Sequence, residues 1–247
     1  MLITFGDGWT LGDGSFYKVG MPELVYDKLK ETEEYKNSWR HIVADHLKVK
    51  NINFAASKSS NQKQFALAKN FFISKKFRDL YSKDMIVLWG ITTLQRDFRW
   101  CSDTKKYEYI VFRDQYKDYL SNKDRIGYGL NKWCYNDSIA IKELEVEILH
   151  WNQYFKALGI KNYWFDTFNS KKYTTKPSNF FDIDTKNRDL LSLLCIQQAI
   201  NNTDSYGVWA EDRFKYGVRN KFLTPYQYYP KKESHKKIAE YIIGKIT

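Results

Sequence analysis

Residues 1–14 read MLITFGDGWTLGDG. Leu2 to Phe5 suit a strand buried on both faces, which lacks the polar alternation of a half-exposed strand. The run passes directly into Gly6, Asp7, Gly8, Trp9 and Thr10. A strand ending in such a turn is where an α/β enzyme often places its nucleophile. Position 8, where a serine would be expected, is glycine and carries no reactive atom.

Further strands and helices alternate downstream. INFAA (52–56), MIVLWGI (85–91) and NYWFDTF (162–168) read as strands. A helix is expected from about 34 to 47, with Trp39, Ile42, Val43 and His46/Leu47 on one face. Residues 57–60 carry serines suited to capping a helix in which Phe65, Ala68 and Phe72 share a face. The clearest helix runs from Asp137 to Gly159. Ile141, Leu144, Ile148, Trp151, Phe155 and Leu158 draw one apolar stripe along it, Asp137 can cap its start, and Gly159 can take the left-handed conformation after its end. Helices also fit 187–200 and Ser234 to about Lys245. This alternation predicts an α/β fold, a parallel sheet with helices on both faces. Residues 92–135 break the rhythm and read as an insertion over one end of the sheet, with a hairpin around Ser102–Lys105. Ligands of open α/β sheets bind beyond the strand C-termini, so the loops after Phe5, Ala56, Ile91 and Phe168 are expected to converge on the site.

A length of 247 residues fits one domain, 1–247, able to bury its own core. Aromatics make up 17% of the chain, with 19 Tyr and 8 Trp. Such rings fill cores and also suit concave binding surfaces. The formal charge of +11 favours acidic partners, although the basic residues are scattered pairs that a solvated surface explains. Nucleic acid is compatible with this charge and is not favoured over other partners. Cys101, Cys134 and Cys195 are far apart and make no CxxC, which fits a reducing compartment, the cytoplasm of the producing cell. No signal peptide and no membrane-length apolar run is read.

Four segments in order, ITFGDGWTLG (3–12), NFAASKSSNQ (53–62), VLWGITTLQR (87–96) and YYPKKESHKKIAEYI (228–242), resemble the SGNH, or GDSL-like, hydrolases, and more narrowly the SGNH-like proteins of tailed-phage genomes. WNQYFKALGIKNYWFDTFN (151–169) fits the same plan. The resemblance implies a three-layer α/β/α (flavodoxin-like) domain with about five parallel strands. It also implies a nucleophilic serine after the first strand, a C-terminal Asp-x-x-His-Pro base, and an oxyanion hole built from backbone N–H groups and an asparagine side chain. At those positions this chain has Gly8 for the serine, Tyr229 for the histidine before Pro230, and Tyr226 for the aspartate. Ser57 or Lys58 stands near the second-block glycine, and Thr92 and Thr93 replace the asparagine. Tyrosine, with a pKa of about 10, is a poor base at neutral pH.

Nucleophile, base and orienter are all absent from their places. The chain is therefore expected to be an SGNH-like protein impaired as an esterase. It would bind an acylated or acidic glycan in the old pocket, lined by Asp7, Gly8, Trp9, Lys58, Asn61, Thr92, Thr93, Arg96 and Tyr229. The alternative is an active acyl hydrolase with relocated residues, His235 with a nearby serine. In the family a histidine at the position of His235 usually serves structure by capping the final helix. A third class is a polyanion-binding or virion structural protein. Glu143, Glu147 and His150 share a helix face, but a second Glu-x-x-His motif is missing, so no metal is expected. GDGWTLG is no dinucleotide fingerprint, and no cofactor is expected. KYTTKPSNFF (172–181) mixes lysine with aromatics, as glycan and single-strand nucleic-acid sites do, and surface solvation over core rings explains it equally well.

Overall fold

A computed structural model describes residues 1–32, 35–94, 96–101, 106–111, 136–167, 173–181, 190–195, 218, 221–225 and 228–247 of the chain. The strands are β1 (Leu2–Phe5), β2 (Asn51–Asn53), β3 (Ile86–Ile91), β4 (Arg96–Cys101), β5 (Lys106–Val111) and β6 (Lys161–Asp166). The helices among these residues are α1 (Gly8–Leu11), α2 (Glu23–Thr32), α3 (Trp39–His46), α4 (Asn61–Phe72), α5 (Lys75–Leu80), α6 (Asp137–Leu158), α7 (Leu190–Cys195) and α8 (Lys232–Ile246).

A parallel sheet of order β2-β1-β3-β6 forms the middle layer, and β4 and β5 pair separately as the expected antiparallel hairpin. Residues 102–105, expected to turn it, lie outside the described residues. Among the described residues the sheet has four strands, where about five were expected. The remnant of a fifth is one parallel bridge, Trp164 to Phe180, with the Phe181 N–H donating to the Trp164 carbonyl at 2.7 Å.

Strand residues alternate between two cores, as side chains on a pleated strand must. Leu2, Leu88 and Phe165 face a core shared with Trp39 and Val43 of α3 and Ile238 and Ile242 of α8. Ile3, Phe5, Val87, Trp89 and Trp164 face a second core under α4, α5 and α6. The register aligns Phe5 with Trp89 and Trp89 with Trp164. Their rings stack at 4.3 and 4.7 Å between centroids, and Phe54 extends the row at 5.0 Å from Phe5. One line of aromatic rings therefore crosses the whole sheet.

Several local expectations need correction. α3 begins at Trp39 rather than near 34, because Tyr35 takes a left-handed φ of +53° and Ser38 occupies the cap position. α2 was not expected: among its described side chains only Tyr26 is buried and Leu29 half-buried, while Leu24 and Val25 are exposed. Asn136, not Asp137, caps α6, accepting from the N–H groups of Ser138 and Ile139. Gly159 closes that helix in the left-handed region, at φ +68°. α7 covers 190–195 of the expected 187–200, and the rest lies outside the described residues. No described helix is long and apolar enough to cross a membrane.

Close backbone approach holds the top of the sheet together. A Cβ on Gly90 would strike the Thr10 hydroxyl and lie 3.0 Å from that of Thr167, and a Cβ on Gly6 would strike Thr10 from the other side. Gly90→Ala is therefore expected to cost about 1–3 kcal/mol by overpacking, read as a lower urea midpoint with an unchanged m-value.

Candidate functional site

The winding of the sheet reverses between β1 and β3: β1 leads outward to β2, and β3 leads the other way to β6. The crevice at such a switch point is the usual ligand site of open α/β sheets. The loops after β1, β2 and β3 meet there. Asp7 is 1% exposed. It caps α1, with Oδ1 accepting from the Trp9 N–H at 3.1 Å, and its Oδ2 accepts from the Thr92 hydroxyl at 3.0 Å. Asn61, the first residue of α4, clamps the Thr92 backbone: Oδ1 accepts from its N–H at 2.9 Å, and Nδ2 donates to its carbonyl at 3.2 Å. Gln64 accepts from the Gly6 N–H at 3.0 Å and donates to the Ser59 hydroxyl at 2.6 Å.

The position where the sequence resemblance expects a nucleophile, Gly8, is filled. A Cβ built on Gly8 would lie 2.5 Å from Oδ2 of Asp13 and 2.5 Å from Cε1 of Tyr229. The Tyr229 ring thus occupies the space of a serine side chain. A short turn holds it: the Tyr229 N–H donates to the Thr224 hydroxyl at 3.1 Å, and its carbonyl accepts from the Thr224 N–H at 2.8 Å. At its outer end the phenol pairs with the Ser57 hydroxyl at 2.9 Å. Of the three serines expected to cap α4, only Ser60 does so, accepting from the Lys63 N–H. Tyr226 lies outside the described residues.

His235 is fully buried, with both ring nitrogens on backbone groups. Nδ1 accepts from the Trp39 N–H at 3.4 Å, so Nε2 carries the proton and donates to the Asp13 carbonyl at 3.3 Å. The imidazole caps α3, not the final helix, and among its described hydrogen-bond partners there is no serine hydroxyl. Burial pushes its pKa down to about 4; the hydrogen bond to the Asp13 carbonyl opposes that shift and the nearby Arg40 reinforces it. Such a group is a poor proton acceptor at neutral pH.

The predicted ligand contacts divide. Asp7, Asn61 and Thr92 are at the site but buried in mutual hydrogen bonds. Trp9 is a correction: it is 2% exposed in the core, and its carbonyl accepts from the Trp39 indole N–H at 3.0 Å. Thr93 is half-buried and Lys58 exposed at the mouth. Arg96 opens β4, and its side chain is outside the described set. Asp13 was not foreseen, although its carboxylate borders Gly8, because nothing in GDG (12–14) says which way that carboxylate turns. Its charge, after burial itself, helps raise the Tyr26 hydroxyl well above its ordinary pKa. Among the described residues no three His, Cys, Asp or Glu side chains gather as metal ligands would.

Fold and site together define a three-layer α/β/α domain with a filled switch-point crevice. No protein-family model and no curated protein matches the chain. Among solved structures, a chain described as a lipolytic protein of the G-D-S-L family from Desulfitobacterium hafniense DCB-2 aligns over 99% of this chain and 98% of its own, at 12% identity and a TM-score of 0.44.

Two predictions follow from this geometry. His235 stays neutral when folded down to about pH 4, whereas in the unfolded chain it takes up a proton near pH 6.5. Its contribution is therefore complete above pH 6.5 and is lost as the pH falls toward 4, to the extent of about 3 kcal/mol. Urea unfolding across that window should show a shallower loss for His235→Gln than for wild type. Lys58 holds a left-handed φ of +59°, so Lys58→Gly should raise the unfolding free energy by about 1 kcal/mol.

Proposed function

We propose that this chain is a GDSL-like scaffold that does not work as a serine esterase, its former triad positions having become packing. The supporting resemblance is the order of the four sequence blocks. The observation that carries the reading is the Tyr229 ring and Asp13 carboxylate standing where a serine side chain would project from Gly8. Acyl transfer needs a nucleophile with a base in hydrogen-bond reach. Here the slot has neither, and the nearest fallback, His235, is committed to two backbone groups.

The loss is not reversible at one position. A serine at Gly8 would clash with the ring that replaced the base, and the phenol beside it does not accept a proton at neutral pH. An acylated or acidic glycan would therefore meet the outer rim, at exposed Lys58 and the half-buried Ser57 and Thr93, rather than the slot itself.

A fluorophosphonate probe and small acyl esters test the reading. Neither labelling nor turnover is expected for wild type or for Gly8→Ser, and the latter should also lose about 1–3 kcal/mol of stability from the clash. Stoichiometric labelling of one serine in the wild-type protein would overturn the proposal.

A further inference from the structure

Among the described residues β2 closes one side of the sheet and pairs only with β1. The Lys50 carbonyl accepts from the Leu2 N–H, and the Phe54 N–H donates to the Thr4 carbonyl, both at 2.8 Å. With Leu2 opposite Asn51 and Thr4 opposite Asn53, the parallel ladder turns the N–H and C=O of Ile52 toward β1 as well. Those of Asn51 and Asn53 therefore point away from the sheet, and nothing among the described residues bonds to them. The side chains of both asparagines are used elsewhere. Asn51 accepts from the Arg40 guanidinium and donates to the Arg40 carbonyl. Asn53 accepts from the Thr4 hydroxyl and the Ala55 N–H. These bonds hold the strand in place and leave its outer backbone edge unused.

A hollow of about 620 Å³ lies against β2 and α5. Half-buried Ile52 and Leu80 line it, and Lys50, Lys75 and Lys76 stand exposed around it against one carboxylate, Asp79. None of the three lysines forms an ion pair among the described residues. The open edge and the excess of positive charge thus share one face.

An unpaired strand edge is a template for another strand. A second copy of this chain would bring two sets of lysines face to face, and edge lysines are a common guard against such pairing. The phosphates of a nucleic acid answer the lysines, but they donate nothing to the carbonyls of Asn51 and Asn53. An extended peptide offers both a donor and an acceptor to such an edge, and carboxylates on it match the lysines. We propose that the β2 edge takes up an extended, acidic segment of another protein as an added strand, paired to Asn51 and Asn53, with its carboxylates at Lys50, Lys75 and Lys76. The surface includes none of the residues around Gly8, so it stands or falls apart from the reading of that site.

A fluorescein-labelled peptide of alternating glutamate and valine is the probe, and the whole chain should bind it one-to-one. Amide hydrogen exchange followed by NMR should find Asn51 and Asn53 fast in the free protein and slowed at least about tenfold at saturation, with Ile52 and Phe54 protected throughout. The same peptide N-methylated at every residue keeps its charge and loses its donors, so it should bind at least about tenfold more weakly. The double variant Lys75→Glu, Lys76→Glu, at exposed positions, should keep its melting temperature, lose at least about tenfold in affinity for the peptide and gain affinity for a lysine–valine counterpart. Absence of saturable binding, equal binding of the N-methylated peptide, indifference to the charge reversal, or unchanged exchange at Asn51 and Asn53 would each overturn the proposal. So would a dimer in sedimentation with those two amides already protected, the sign of a second copy on the edge. An oligonucleotide that slows the two amides as much as the peptide does would overturn it in favour of a nucleic-acid site.

Discussion

A buried carboxylate organises the end of the sheet. Asp7 is almost fully enclosed, and a charge in that position is tolerable only when hydrogen bonds replace its water. Two of its donors come from different parts of the chain: the Trp9 N–H in the turn it caps, and the Thr92 hydroxyl just beyond β3. Satisfying the charge therefore fixes where β1 ends relative to β3, at the point where the winding reverses. Asn61 then grips the backbone of the same Thr92, and Gln64 grips Gly6. The crevice that would hold a ligand in an open α/β sheet is sealed by side chains bonding to backbone.

That seal explains why the glycine and the tyrosine belong together. With α1 held by Asp7, the Cα of Gly8 faces the Tyr229 ring at a separation that leaves no room for a Cβ. Gly8 permits the ring, and the ring requires Gly8. Tyr229 also gains a hydroxyl partner in Ser57, from the loop after β2, so the larger side chain bridges the second and last blocks of the fold. Asp13 contributes at both ends of this arrangement: its carboxylate borders Gly8, and its carbonyl accepts a hydrogen bond from the His235 Nε2–H. The one histidine near the site is thereby used to join α8 to α3.

The layers of the fold could be read from the chain because their signals are long and unambiguous. The apolar runs of β1 and β3 and the stripe along α6 each repeat one period over several residues. α2 escaped because its exposed Leu24 and Val25 contradict the expected pattern, while the expected fifth strand is represented among the described residues only by the single bridge at Phe180. That Gly8 and Tyr229 belong near one another was also legible, since the resemblance assigns both to one site, and the structure places the Tyr229 ring where a Cβ on Gly8 would project. Side-chain direction was not. Asp7, Thr92 and Trp9 stand in the right segments but turn inward, and a sequence does not distinguish a polar residue that waits for a ligand from one that satisfies its own backbone.

The aromatic content illustrates the same limit. A chain with 17% aromatic residues and a positive charge invites a reading as a stacking surface for sugars or bases. Instead, the row Phe54, Phe5, Trp89 and Trp164 lies across the sheet, and Phe65, Trp151 and Phe155 pack over it from the helices. Most of these rings are structural, and they take the place of aliphatic side chains in the layer beneath α4 and α6. Tryptophan in that layer brings a polar N–H into the interior, a group that leucine would not carry. Where the helices cover it completely, the N–H is a pure cost. Trp89 and Trp164 carry that cost: neither indole N–H has a hydrogen-bond partner among the described residues.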